Sequence, residues 1–273
     1  MKNSLNRRLL DAPYMLWAVI FIVVPLFIVA YYAFTDSAGS FTLANLAGLK
    51  DYRQIFGISL WYSVIATVIC LVVSYPFAYF ISRTKPRTQR IIVLLVMLPM
   101  CMSFLLRTLA WVSLFEDTGI INNFLTSIGI GPLKLIRTRP AVVFGMVYNY
   151  LPYMILPLYT VLMKIDGRLL EASADLGANK FNTFRKVILP LSLPGIISGI
   201  TMVFVPAVST FYISVKMGPA DTAMIGDIIE KQFKNAYNPN LGAAMSLVLM
   251  IMIIICMAIM NRFADNDGEE IVL

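Results

Sequence analysis

The sequence predicts an all-α integral membrane protein with six transmembrane helices. Three observations carry that expectation. First, 59% of the 273 residues are hydrophobic and 14% are charged, against about 45–50% and about 25% in an ordinary globular domain. Second, six apolar stretches are each long enough to cross a hydrocarbon core of about 30 Å, which takes roughly 20 helical residues. They are residues 14–34, 58–82, 91–115, 141–163, 187–215 and 241–263. Third, every Asp and Glu lies outside those stretches, where ionised carboxylates avoid the cost of facing lipid.

The elements follow in chain order. Residues 1–13 carry Lys2, Arg7 and Arg8, which resembles the start of a signal peptide. The apolar run behind them is long and has no small-residue cleavage site, so it reads as a retained first helix. The second stretch contains Pro76, and the third contains Pro99 and Arg107, the sole charged residue well inside a span. The fourth contains Pro152 and Pro157, and the fifth contains Pro190, Pro194 and Pro206. Proline removes a backbone donor and kinks a helix. In membranes it is tolerated where neighbours or water satisfy the freed carbonyls. The concentration in the fourth and fifth helices therefore suggests irregular helices beside a cavity. The sixth stretch ends in a polar tail, residues 264–273. The domain reading is a transmembrane unit over 14–263, with short cytoplasmic ends.

Orientation comes from the basic residues. Six crossings put both ends on one side of the membrane. The segments on that side hold 13 Lys and Arg and the opposite set holds 8. The richer set is expected in the cytoplasm, and residues 83–90, with four basic residues and no acid, weigh most. The net charge of +7 is thereby assigned to cytoplasmic loops, not to a nucleic-acid partner.

Several functions are excluded. The chain has no histidine, which removes His-based general bases, triads and metal sites. Cys70, Cys101 and Cys256 each sit in an apolar run with no metal or redox spacing, as small apolar residues do. No metal site is expected. No G-x-x-x-x-G-K-[ST] loop is present, so any ATP must be bound by another chain. An ion-coupled carrier needs intramembrane acids, and there are none.

The segment 164–186 is unusual for a loop between spans. Leu169, Ala172, Ser173 and Leu176 recur at helical spacing on one face, with Glu171 and Asp175 on a polar face. Gly177 ends that helix. A second short stretch, basic at its end, leads to Pro190. This shape fits a helix inserted into a groove on a cytoplasmic partner. It equally fits an amphipathic helix lying on the membrane surface.

Glu171-Ala172-Ser173, three residues, Gly177, nine residues, then Val187-Ile188-Leu189-Pro190 resembles the signature of the membrane subunits of binding-protein-dependent ABC importers. Ser173 and Val187 depart conservatively from that signature. The resemblance implies the type I importer permease architecture, with 164–186 as the cytoplasmic coupling helix that docks on an ATPase. It implies coupling roles for Arg168, Glu171, Ala172, Ser173, Asp175, Gly177, Leu189 and Pro190, and no catalytic residue. It also implies a second, different permease subunit, two ATP-binding subunits and an extracytoplasmic binding protein. ATP and Mg would sit on the partner, with no cofactor on this chain, and the site of action would be the bacterial inner membrane.

Residues 74–82, 98–111, 147–158 and 224–233 are further similar to the polyamine branch of this family, which carries spermidine and putrescine. The alternative substrate is another small organic cation or an aminophosphonate. Polyamines ask for carboxylates and aromatic faces. Glu116, Asp117, Tyr148, Asn149, Tyr150, Tyr153, Phe211, Tyr212 and Asp227 are the candidates for such a path. Interfacial anchoring by the tyrosines, solvated outer-loop acids and a helix–helix bond from Asn149 are the competing readings. Arg107 reads as a structural or gating residue that snorkels outward to Glu116 or Asp117. Related sequences often carry an acid after Phe211-Tyr212-Ile213-Ser214, and some carry a basic residue; here Val215 and Lys216 follow, which sets local charge against a polycation.

Overall fold

The computed structural model describes residues 13–36, 38–219 and 221–269. The N-terminal basic segment, residues 1–12, and residues 270–273 of the tail lie outside the described residues. Five helices are long and apolar enough to cross a membrane, and a sixth crossing is made if one bent pair counts as a span. The chain divides into two units: the chain up to Gln54 with Ile228–Met252, and Ile55–Asp227 with the segment from Ile253 onward.

In the first unit, α1 (Pro13–Ala33) opens the chain. It includes one π-helical turn, Val19–Val23, immediately before Pro25. Its face is unburied by this chain, as suits a helix in contact with lipid or a partner. The exposed carbonyls at its end are answered by two asparagines. Asn45 Nδ2 donates to Ala33 O (3.3 Å) and Thr35 O (2.8 Å). Asn240 Nδ2 donates to Tyr32 O (3.2 Å) and Thr35 O (2.6 Å). Ala33 packs with Ala243 and Ala244, all three fully buried or nearly so.

In the second unit, α2 (Arg53–Ser82) buries a line of small residues. Ser59, Ser63 and Thr67 donate their hydroxyls to the carbonyls of Ile55, Ser59 and Ser63 one turn back. This satisfies them within the helix and leaves a narrow face for close packing. Cys70 continues that face, fully buried, with Sγ 3.8 Å from Val147 O. The free thiol is a packing residue there, as the sequence indicated.

The third stretch does not form one straight helix. α3 (Pro86–Met97) runs into a 3-10 turn, Leu98–Cys101. The chain then turns through 90° before α4 (Phe104–Phe115) and α5 (Ile120–Ser127). The single span expected over 91–115 is therefore corrected to a broken one. Pro99 has no backbone N–H to donate, and Met102 and Ser103 take extended backbone angles.

α6 (Arg139–Leu162) and α8 (Lys180–Val208) form the centre of this unit. They are joined by α7 (Gly167–Asp175). Their closest approach uses glycine. A Cβ on Gly195 would stand 3.0 Å from Val161 Cβ and 3.1 Å from Pro157 O, and one on Gly199 would stand 2.5 Å from Met154 Sδ. Met146, Met154, Leu158, Leu162 and Val203 are fully buried in this core. The fifth helix stops at Val208, not at Val215 as expected. After residues 209–212 the short α9 (Ile213–Met217) begins, followed by α10 (Ile225–Lys234) and α11 (Pro239–Glu269).

Gly195→Val should force α6 and α8 apart, because the extra carbons meet the Pro157 backbone. Overpacking of this kind costs about 1–3 kcal/mol. Thermal unfolding of the purified protein in detergent should show a clear drop in midpoint, and an unchanged midpoint would refute the close-packing role.

Candidate functional site

Two regions carry the sequence candidates, and they lie at opposite ends of α8. At the start of α8 is the loop 164–186. α7 begins with Asp166 as its N-cap, accepting from Arg168 N at 3.0 Å. It ends in a pair of bonds that satisfies its last carbonyls: Gly177 N donates to Ala174 O (2.8 Å) and Ala178 N to Ser173 O (3.1 Å). This closure needs a left-handed residue at the turn, and Gly177 has φ +77. Asn179 caps the next helix by accepting from Asn182 N at 2.8 Å.

Ser173, the departure from the Ala of the signature, pairs with the Thr183 hydroxyl at 2.9 Å. That contact ties α7 to the start of α8. Inward packing is made by Leu170, which lies against the main core. Leu169 is 48% exposed, Leu176 88% and Phe181 68%. Glu171, Ala172 and Asp175 are exposed beside them. Leu189 packs on the core, and Pro190 sits at the start of the regular α-helical part of α8. The loop is a rigid, capped helix that offers apolar and acidic side chains outward.

At the other end of α8, three irregular segments come together: the turn before α4, the proline-bearing middle of α6 and the unwound residues 209–212. Arg107, in the first turn of α4, is only 6% exposed. Its Nε and Nη1 are buried and have no hydrogen-bond partner among the described residues. The expected ion pair with Glu116 or Asp117 is not formed. Those two acids are exposed in the turn between α4 and α5. Arg107 is buried within the fold, while those acids face outward.

Tyr150 OH donates to Pro206 O at 3.2 Å. Thr210 Oγ1 lies beside that hydroxyl without reaching hydrogen-bond geometry, and it is buried with no partner. Asn149 donates through Nδ2 to Gly145 O at 2.9 Å, while its Oδ1 is buried and unpartnered. The helix-to-helix bond considered for Asn149 is therefore a bond within α6.

The remaining candidates separate. Tyr148 belongs to an aromatic wall, with its ring 5.2 Å from Trp111 and 6.5 Å from Phe144. Tyr153, 36% exposed, stands 6.5 Å from the Tyr150 ring. Phe211 is 44% exposed. Tyr212 is half-buried against Phe104 and has the Lys216 ammonium 5.7 Å from its ring centroid.

Asp227 is not a solvated loop acid. It is 7% exposed and accepts from Ser214 Oγ (2.6 Å) and Met224 N (2.7 Å). The second bond is that of an acid reaching back to the amide before its own helix. Beside it, Ile225 N donates to Ser59 Oγ at 2.7 Å. Gly226 lets this turn press against residues 209–210, since a Cβ there would fall 2.4 Å from Thr210 O. Asp221, by contrast, is exposed and paired with Arg139 at 2.9 Å. The hydrogen bond from Arg139 holds its carboxyl below the usual carboxylate range. That pair is present above the ordinary carboxylate pKa and lost as pH falls through the lowered value.

Sequence reasoning missed Thr210, Ser214 and Ser59. Their only signal was a polar residue at the edge of an apolar run. It also missed the aromatic partners Trp111 and Phe144.

Apolar helices of membrane-spanning length, one of them broken, a capped loop helix and a buried polar centre are features that a transport permease requires. Residues 74–266 match the family described as "Binding-protein-dependent transport system inner membrane component". The chain belongs to this family and is a multi-pass permease subunit of an ABC importer. It is 37% identical over 266 residues, 93% of each chain, to the spermidine/putrescine transport system permease protein PotB of Haemophilus influenzae. It is 38% identical over 245 residues to PotB of Escherichia coli, covering 86% of this chain and 89% of that one. It is 32% identical over 259 residues to the inner membrane ABC transporter permease protein YdcU of Escherichia coli, covering 87% and 82%. Among solved structures, the crystal structure of a bacterial alginate ABC transporter in complex with a periplasmic protein aligns with a TM-score of 0.78 at 15% identity, over 96% of this chain and 95% of that one. The MetNI methionine transporter aligns at 0.57 and 19% identity, over 78% and 94%. These likenesses establish the type I importer fold.

Two outcomes test the polar centre. Asp227→Ala removes the acceptor for Ser214 Oγ and Met224 N. It should lower stability by about 1.5–3 kcal/mol, the range for hydrogen bonds to a charged group, read as a fall in unfolding midpoint. Arg107→Met should leave that midpoint unchanged or raise it, because a buried charge without an ion partner costs stability. A large fall for Arg107→Met would mean that the guanidinium holds the fold.

Proposed function

We propose that this chain is the membrane permease subunit of an ATP-driven importer of polyamines such as spermidine and putrescine. The observation that carries the substrate is the 37% identity over 93% of the chain to a spermidine/putrescine permease. The aromatic and polar residues in the middle of α6 and after the end of α8 are compatible with it. Tyr150, Tyr153, Phe211 and Tyr212 offer ring faces suited to ammonium groups.

The assembly comprises a second, different permease, two ATP-binding subunits carrying ATP and Mg, and a binding protein that delivers substrate from outside. Both termini and the loop 164–186 face the cytoplasm in this reading, as the basic residues indicate. The exposed Leu169, Leu176 and Phe181 with Glu171 and Asp175 form the surface that enters a groove on the ATPase. The capped turn at Gly177 and the Ser173–Thr183 contact transmit ATPase closure into α8. Arg168, Ala172, Leu189 and Pro190 complete that coupling element.

One observation favours a second substrate. The unpartnered Nε and Nη1 of Arg107 would suit an anionic substituent, as in an aminophosphonate.

The test is ATP hydrolysis by the reconstituted complex with its binding protein. Spermidine or putrescine should stimulate it, and an aminophosphonate should not. Stimulation by the aminophosphonate alone would replace the first reading with the second. Glu171→Lys should uncouple or release the ATPase subunits, seen as loss of co-purification or of stimulated hydrolysis. Full assembly and transport in Glu171→Lys would remove this loop from the coupling path.

A further inference from the structure

We infer that Lys216 acts as a resident ammonium on an aromatic seat of the substrate path, and that it biases the importer towards the less highly charged polyamine. The inference rests on the polyamine reading above and deepens it. Four observations support it.

The Lys216 ammonium lies 5.7 Å from the Tyr212 ring centroid, inside the roughly 6 Å within which a cation is attracted to a ring face. The seat is built. Tyr212 is half-buried, and its ring rests against Phe104 at 6.4 Å.

Lys216 itself is exposed, as are Val215 and Phe211. No ion pair to an acid involves Lys216 among the described residues. A charged side chain on a membrane permease cannot rest against lipid without large cost, so this exposed lysine needs water or a polar partner around it.

The backbone around it is irregular. α8 ends at Val208, residues 209–212 are unwound, and α9 then begins. Unwound backbone at this place is tolerated where it is buried in protein or lines a water-filled cavity. It includes the buried Thr210, and the Tyr150 hydroxyl donates to Pro206 O just before it.

Finally, α9 is held firmly, so the lysine is presented from a fixed base. Thr138 N donates to Met217 O at 3.2 Å. Gly145 makes room for Met217 and Ile213, since a Cβ there would stand 2.6 Å from Met217 Sδ and 2.8 Å from Ile213 Cγ2.

An ammonium tethered on this ring has two effects on an arriving polyamine. It occupies a face that a substrate amine would use, and its charge repels the substrate in proportion to the substrate's charge. Spermidine carries one more amine than putrescine and is penalised more. Lys216 therefore tilts the transporter towards putrescine.

The test is initial uptake of spermidine and of putrescine by the complete reconstituted importer with its binding protein. The readout is the ratio of kcat/KM for the two amines. Lys216→Met and Lys216→Gln should each raise the spermidine-to-putrescine ratio about 2- to 5-fold, as expected when one additional ammonium is no longer repelled by a nearby charge in water. Lys216→Arg, which keeps the charge and can stack on the ring, should hold the original ratio. In a Tyr212→Leu background, Lys216→Met should change the ratio less, because the seat is gone. An unchanged ratio in both neutral variants, with both amines still transported, overturns the inference and leaves the polyamine reading standing. An equal shift with and without Tyr212 overturns the aromatic seat. Uptake of neither amine by the unaltered importer overturns the polyamine reading, and this inference with it.

Discussion

A backbone inside a bilayer has no water to bond with, so each amide and carbonyl must find a partner within the protein. That constraint explains why the described chain is helical through its apolar stretches. It also explains what happens where a helix stops. At the end of α1, carbonyls that would face hydrocarbon are bonded by Asn45 and Asn240. At residues 209–210, the chain leaves helical geometry only where Gly226 lets a second turn press on it. Each departure from helix is matched by a side chain or a missing side chain that receives it.

The same constraint relates the two ends of α8. At its start the irregularity is a designed stop. Gly177 takes the left-handed conformation, the last carbonyls of α7 are bonded, and the Ser173–Thr183 contact joins loop to span. At its end the irregularity gathers polar groups whose partners are incomplete: Arg107, Asn149 Oδ1 and Thr210 Oγ1. A stiff, fully bonded element suits transmission of force. A buried centre with open donors and acceptors suits transient contact with water or cargo. The two ends of α8 thus differ in kind, a bonded stop at the start and incompletely partnered polar groups at the end.

Glycine does comparable work in the packing of α6 on α8. Gly195 and Gly199 place the Pro157 and Met154 region against α8, so two proline-bearing helices approach closely although each is kinked. Small residues at helix interfaces allow this where lipid offers no hydrophobic drive to association. The Ser59–Ser63–Thr67 line on α2 is the counterpart, with each hydroxyl bonded to its own helix.

Much of this was legible in the sequence. Apolar length placed the spans, because the hydrocarbon thickness sets the number of residues needed. The spacing from Glu171 to Pro190 pointed to the loop, and the signature glycine proved to be a left-handed cap, since only glycine takes that geometry without strain. What the sequence did not reveal depends on neighbours distant in the chain. Pro99 marked a weak point, but a 90° turn instead of a kink was decided by how α4 packs. Arg107 read as a residue reaching for nearby acids. The fold buries it instead, because the helix carrying it starts three residues earlier, at a new angle. Asp227 read as a loop acid and became a buried helix cap, because Ser214 and the Met224 amide meet it there. Periodicity and composition report local preferences and solvent. Which charge is buried, and beside what, is a property of the assembled chain.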